Sequence, residues 1–421
     1  MATATDQRSL RRRFFRLTGI NILTNLTVPL AGLVDTALLG HLPDIRFLAG
    51  VALASLVFDV LYWSFGFLRM GTTGTAAQAL GRGEAAEVYR VLYRSLVVAA
   101  ALGAALVALA GPLGDLAFRL LGGAPGVEAA GREYFDARIW GAPAALANFA
   151  FLGWFLGREE SGRALAMSAT ANLVNLGLDW LLIVELGMAA EGAGLATMAS
   201  QYAQLAVALA LFAATRRAPA AAAGGGALPG WSRAAVFDRE RFAALFRLNR
   251  DILVRTVCLV GAFAVFTNAS SLLGTAVLAA NAILLRLFAL ASYSIDGAAF
   301  AAESLAGIFR GAGDRRSLAR LTRLALATGA GFAALFVAVL FAAPGPVMAL
   351  LTSHADVAAR ATAGLAWLAP VVLLGSLAFV WDGIFLGLTA GRALRNSMLV
   401  SLAVFLAAAW LALAMESNAI L

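Results

Sequence analysis

Residues 27–40 read TVPLAGLVDTALLG, an apolar run interrupted by a proline and then by a carboxylate, Asp35. In a water-soluble core helix, Asp35 would be an awkwardly buried acid. In a helix that crosses a bilayer, an ionised carboxylate is costly, and acids kept in such places are functional candidates by default. The rest of the chain decides between these settings.

The chain has 421 residues, of which 61% are hydrophobic and 13% charged, with a mean hydropathy of +0.84. A soluble domain carries roughly 25% charged residues. Half that value over this length means that most side chains face lipid or other apolar helices, so the protein is polytopic. The formal net charge of +8 comes from arginine alone, since the chain contains no lysine. Those arginines cluster in short segments between apolar runs, which is the charge bias that sets membrane topology rather than a nucleic-acid patch. The single cysteine, Cys258, lies in an apolar run, which excludes a disulfide or a cysteine-based metal site. The opening SLRRRFFRL resembles an export signal only superficially. The run after it is long, contains Asp35 and shows no small-residue cleavage site, so it reads as an uncleaved first span with a basic cytoplasmic flank.

A span needs about 20 largely apolar residues. Cutting at charged or Gly/Pro-rich breaks predicts eleven, near 17–40, 49–80, 92–112, 134–157, 164–184, 193–215, 249–273, 277–308, 324–343, 361–388 and 396–415. Alternate connections hold 24 arginines, against five (Arg46, Arg119, Arg132, Arg138 and Arg360) in the others. This places the N-terminus in the cytoplasm. The longest polar connection, 216–248, contains APAAAAGGGALPG, a flexible-linker composition, and the halves on either side resemble each other. FLGREESGRAL (155–165) matches FLGLTAGRAL (385–394), and AAQALGRG (76–83) resembles AAESLAGIFRGAG (301–313). The expected fold is therefore an all-α polytopic membrane protein of two parallel six-helix repeats around a central cavity. The domains are an N-lobe (1–215), a cytoplasmic linker (216–248) and a C-lobe (249–421). Only five spans are visible in the second repeat, so its last helix is expected to be missing by truncation.

Several polar residues fall inside the spans. Pro29 removes a backbone hydrogen bond about two turns before Asp35, so a hinge is expected there. Asn172, Asn175 and Asp179 in ATANLVNLGLDW are spaced 3 and 4 and share one helix face; two amides and a carboxylate suit a proton or a hard, partly dehydrated cation. In the second half, Asp296 and Glu303 are seven apart on one face and Asp382 lies in VWDGIFLG; Arg286 is a candidate ion-pair partner for Asp296 or Asp382. Asp59 and Arg69, ten residues apart on one helix, do not share a face, and Asp59 is a candidate cavity residue. His41 and His354 lie in or beside expected outer loops, and most of the aromatic residues face lipid.

With these paired units, PLAGLVDTALLGHL, SYSIDGAAFAAESLAG and VWDGIFLGLTAGRALRNSM resemble the DinF-like branch of the MATE (multidrug and toxic compound extrusion) family. The resemblance implies an exporter of organic, often cationic, compounds driven by a proton or sodium gradient through a rocking motion of two lobes. It also implies that the first-helix Asp35, with Asn175 and Asp179 of the fifth helix, forms the N-lobe cation site, and that Asn148 and Thr197 complete it by position. A sodium ion, if used, is expected at Asp35, Asp179 and Asn175.

No phosphate-cradling glycine loop, metal-ligand His/Cys spacing or nucleophile–base pair occurs, which argues against an enzyme. A lipid-linked precursor flippase would need a cationic cavity for its pyrophosphate, whereas the spans, at five or more residues from their ends, hold six acids (Asp35, Asp59, Asp179, Asp296, Glu303 and Asp382) against three arginines (Arg69, Arg255 and Arg286). A non-transporting scaffold would tolerate neutralisation of those acids. The expectation is a secondary antiporter of the bacterial plasma membrane, without cofactor or nucleic-acid partner, monomeric, acting on small organic cations or amphiphiles among membrane lipids. The spacing serves proton and sodium alike.

Overall fold

The computed structural model describes residues 4–222 and 232–415, with side chains described for 8–27, 32, 34–216 and 232–415. The core of the linker and the stretch where a further span was expected to begin lie outside these residues, as does the side chain of the expected hinge, Pro29. All regular structure among the described residues is helical. In chain order the helices are α1 (Ala4–Gly40), α2 (Ile45–Phe65), α3 (Phe67–Gly81), α4 (Ala85–Ala108), α5 (Ala110–Leu121), α6 (Pro125–Arg138), α7 (Ala142–Gly157) and α8 (Ser161–Asp179). Then follow α9 (Ala189–Ala222), α10 (Arg233–Val236), α11 (Arg239–Leu272), α12 (Thr275–Gly311), α13 (Arg315–Ala342), α14 (Pro344–Leu351), α15 (Ala355–Gly387) and α16 (Gly391–Ala414).

Ten helical stretches among the described residues are long and apolar enough to cross a membrane. They overlap the expected spans from 49–80 onward, several starting up to ten residues earlier (Arg239 against 249, Arg315 against 324, Pro125 against 134), while the first expected span, 17–40, falls in α1 outside those ten. One difference matters for the site. The five arginines assigned to sparsely charged loops all lie in helices: Arg46 in α2, Arg119 in α5, Arg132 and Arg138 in α6, and Arg360 in α15. A charge does not end a helix; glycine and proline do. Here Pro125 opens α6 and Gly122, at φ 64°, closes α5.

The chain divides into two compact units, Leu23–Phe246 and Met1–Ile22 with Arg247–Leu421. Helix α1 thus contributes to both. Its first half groups with the later unit because Phe14 and Leu17 are fully buried there, in a cluster with Ala298, Leu305 and Ile384. In the first unit the core runs through Val88, Tyr89, Phe151, Trp154 and Phe155, with the Trp154 indole donating to the Val88 carbonyl at 2.8 Å. Val236 of α10 is buried in the same core. Arg94 holds it there, donating to the carbonyls of Val236 (3.0 Å) and Ala235 (2.9 Å) and to Glu87 (2.6 Å).

The two halves repeat with a constant spacing of 230 residues. Gly81 and Gly311 end α3 and α12, and Gly83 and Gly313 follow with φ of 74° and 72°. Ala85 and Arg315 start the next helices. Gly157 and Gly387 end α7 and α15, and Glu159 and Thr389 turn the chain at φ of 61° and 52°. The resemblance between FLGREESGRAL and FLGLTAGRAL therefore pairs Ser161 with Gly391, without a gap. Close packing repeats too. A Cβ on Gly153 or Gly157 would lie 2.3 and 2.6 Å from the carbonyl oxygens of Arg69 and Thr73; on Gly383 or Gly387 it would lie 2.4 and 2.1 Å from those of Ala299 and Glu303. Small residues four apart let helix backbones meet, which is how helices associate where lipid removes the hydrophobic drive.

Candidate functional site

The first unit brings Asp35 of α1 against Asp179 at the end of α8. Their carboxyl groups lie within hydrogen-bonding reach of each other. Asp179 is fully buried, and neither of its oxygens has a hydrogen-bond partner among the described residues; Oδ1 of Asp35 is likewise buried and unpartnered among them. Asn175, one turn earlier on α8, is buried with its Nδ2 unpartnered. Immediately after Asp179 the chain changes from α- to π-helical winding over Trp180–Glu185, an irregularity that often marks functional positions. Two ionised carboxylates offer acceptors only, so this arrangement needs a bound proton or another cation between them.

The other expected members are placed differently. Asn172 donates from Nδ2 to the Thr27 carbonyl of α1 at 3.0 Å, which ties α8 to α1 two residues before Pro29. Asn148 is buried on α7 and donates to the Gln201 carbonyl at 2.9 Å and to the Gln201 and Gln204 amide oxygens at 3.2 and 3.3 Å. Thr197 spends its hydroxyl on the Ala193 carbonyl of its own helix at 3.0 Å. Asn148 and Thr197 are thus engaged in bonds to and within α9. Gln201 and Gln204 escaped the sequence reading because, unlike Asn172 and Asn175, they have no carboxylate within two turns on their own helix to single them out.

Arg138 escaped it as well. It lies at the end of α6, its guanidinium over Phe58 (4.3 Å), Tyr134 (5.4 Å) and Tyr62 (5.7 Å), with Nη1 donating to the Tyr134 hydroxyl at 2.6 Å. Arg138 was expected among the arginines of a sparsely charged connection; instead α6 runs from Pro125 through it. Asp59 is exposed on α2 beside Phe58.

In the second unit, Arg286 was a candidate partner for Asp296 or Asp382, and Asp382 is engaged by a different arginine. Arg255 of α11 grips Asp382 of α15 in a two-pronged ion pair, Nε to Oδ1 at 3.1 Å and Nη2 to Oδ2 at 2.7 Å. Glu303 is fully buried and Asp296 half-buried on α12. Among the described residues no group of three or more His, Cys, Asp or Glu side chains could hold a metal ion. A sodium ion at Asp35 and Asp179 would need amide or backbone oxygens to complete its shell.

The 230-residue spacing separates scaffold from chemistry. The positions equivalent to Asp35, Asp59, Arg138, Asn148, Asn172, Asn175 and Asp179 are Val265, Ala289, Leu368, Ala378, Leu402, Phe405 and Ala409. Seven polar residues of one unit are apolar in the other, although both build the same helices.

Helices that cross a membrane, an internal repeat and a buried carboxylate pair define a class: this is a multi-pass membrane transporter, not an enzyme. The MatE family model matches residues 21–181 and 252–414. The chain belongs to the MatE family of multidrug efflux transporters. It is 35% identical over 384 residues to DNA damage-inducible protein F of Escherichia coli, covering 91% of this chain and 82% of that one. It is 28% identical over 400 residues to the chloroplastic Protein DETOXIFICATION 44 of Arabidopsis thaliana, covering 86% and 69%. Among solved structures, a MOP superfamily transporter from Pyrococcus furiosus shares the fold with a TM-score of 0.85 at 19% identity, covering 97% of this chain and 89% of that one. A MATE protein in its straight conformation gives 0.82 at 22% identity, covering 95% and 86%.

Proposed function

We propose that the protein is a secondary antiporter that expels small organic, often cationic, compounds in exchange for protons or sodium ions. Asp35 and Asp179 bind the coupling ion, and Asn175 assists them. The observation that carries this reading is the set of three buried carboxylate oxygens, both of Asp179 and one of Asp35, with no donor among the described residues. Such a pair is too costly to keep charged and unfilled in an apolar interior, so filling and emptying it changes the helix packing around it. The transporter alternates between inward-open and outward-open states as it does so, with its N-terminus in the cytoplasm and the bacterial plasma membrane as its site.

Relatives bearing the name probable multidrug resistance protein NorM, from Thermotoga maritima and Caulobacter vibrioides, support drug-like substrates. The flippase alternative is disfavoured because the first unit collects three acids, Asp35, Asp59 and Asp179, against Arg138, and an acidic site repels a pyrophosphate. The test is Asp35→Asn in proteoliposomes with gradient-driven efflux of a fluorescent organic cation. Loss of efflux at normal expression supports the reading, and undiminished efflux overturns it.

A further inference from the structure

The chain that enters α11 is fastened to the first unit on one side and open on the other. Val236 of α10 is fully buried, and Arg94 clasps the Ala235 and Val236 carbonyls at 2.9 and 3.0 Å. The residues that follow turn outward. Phe237 is 49% exposed and Phe246 53% exposed, with the Phe242 ring stacked between theirs, 5.6 Å from the first and 5.5 Å from the second. Asp238 fixes the corner by accepting from the Arg241 backbone N–H at 2.9 Å, as a helix N-cap does. Arg233, Arg239 and Arg241 are exposed in the same stretch, and Arg247 follows Phe246 directly. At the equivalent places α1 carries Gln7, Arg12 and Arg16, so the aromatic ladder is particular to the entry into α11.

Depth decides what the ladder meets. Helix α11 has 34 residues, well beyond the length of about 20 that crosses the hydrocarbon core. Its far end is the polar run TNASS, 267–271, with Thr267, Asn268 and Ser271 exposed. About 20 residues back from Phe266 reach Arg247. Phe246 thus stands at the edge of the hydrocarbon, and Phe242 one turn, about 6 Å, outside it. At that level a ring has an apolar boundary beneath it and a guanidinium has phosphates beside it. We infer that residues 232–246 form an interfacial docking surface for the bilayer leaflet on the linker side, with anionic phospholipid headgroups as its partner. Phe237 and Phe246 enter the boundary between headgroups and acyl chains, and Arg233, Arg239 and Arg241 pair with the phosphates. Of the two acids in the stretch, Asp238 is spent on the cap, which leaves Glu240 alone against three arginines. Because Arg94 and Val236 already hold the corner, little order has to be gained when lipid binds.

The experiment places the full chain in lipid nanodiscs, with the one cysteine, Cys258, changed to Ala and a nitroxide on Phe237→Cys. Collisions of the label with oxygen report lipid, and collisions with a water-soluble nickel chelate report water. Nanodiscs of phosphatidylcholine alone are compared with nanodiscs that also contain phosphatidylglycerol. The anionic bilayer is expected to lower the nickel collision rate about fivefold or more, with oxygen access rising. Arg233→Gln, Arg239→Gln and Arg241→Gln combined are expected to abolish that difference. Nickel access that is high in both bilayers shows a surface left to water or to a soluble partner, and overturns the inference. Access that is low in both shows rings seated without any call on headgroup charge, and overturns it too, as does a difference that survives the triple variant. The comparison of lipids needs no arginine substitution, so it decides the matter should the triple variant fail to fold.

Discussion

Gly157 and Gly387 occupy the same place in the two units, each ending a helix and each pressed against a carbonyl oxygen of the neighbouring helix, Thr73 and Glu303 respectively. A Cβ at Gly387 would come within 2.1 Å of that oxygen, a distance no local adjustment absorbs, because the obstacle is backbone. Gly387→Ala is therefore expected to push α15 off α12 at a cost of about 2–3 kcal/mol, seen as a lower melting temperature in detergent. Gly162→Ala, where nothing lies within 4 Å, should leave melting almost unchanged. Equal behaviour of the two variants would remove the packing argument.

Asp179 should behave oppositely. It is fully buried with both oxygens unpartnered, and the equivalent residue is Ala409. Asp179→Ala is expected to abolish gradient-driven efflux while leaving thermal stability unchanged or raised, since an unpaired buried acid is a liability to the fold. A large fall in melting temperature would mark Asp179 as structural.

The Arg255–Asp382 pair is a different kind of charge, satisfied within the protein. Asp382→Asn leaves a guanidinium that is 9% exposed without its counter-charge, and a loss of about 2–3 kcal/mol is expected after allowing for the partial exposure of Asp382. The equivalent positions hold Asn25 and Leu152. The double variant Arg255→Asn, Asp382→Leu should therefore recover most of that loss in a melting assay, and failure to recover would show that the pair does more than neutralise itself.

At the turn before α13, Asp314 accepts from the Ser317 backbone N–H at 2.9 Å. A hydrogen bond from the Ser317 side chain, together with that backbone bond, holds its carboxyl below the usual carboxylate range. A group whose folded value is depressed stabilises the fold above its unfolded value and loses that contribution as pH falls through the folded one. Asp314→Ala is expected to cost about 1 kcal/mol at neutral pH, with the difference from wild type closing as melting is followed down through pH 4 and below. A difference that stays constant with pH would rule out the cap. Glu84, at the matching turn of the first unit, is also held low, by Arg82 at 2.9 Å.

Much of this was legible in the sequence because membranes simplify the code. Apolar runs near 20 residues announced the spans, and the 3-and-4 spacing of Asn172, Asn175 and Asp179 put them on one face of α8. Asp35 declared itself by being charged in an apolar run. The partners of these residues were harder to see. Whether Asn148 turns toward Asp35 or toward Gln201 depends on how α7 rotates against α9, and no periodicity reports rotation. Arg138 was counted with the loop arginines although the expected span opened at 134, whereas α6 begins at Pro125 and runs on through it. Arg255 and Asp382 are 127 residues apart, a separation across which spacing carries no information. The register of the repeat needed positive φ values at Glu159 and Thr389 to fix it, since the letters alone suggested a one-residue gap.

The constant 230-residue offset means that this chain contains its own blank. For each ionisable or amide group at the candidate ion site, the molecule already records an uncharged substitute that a sister bundle tolerates, at a known address. Swapping letters between addresses, Val for Asp35 or Leu for Arg138, asks what chemistry was added to a common frame. The reverse graft, acids placed at Val265 and Ala409 with an amide at Phe405, asks whether that frame is enough to make a second ion seat.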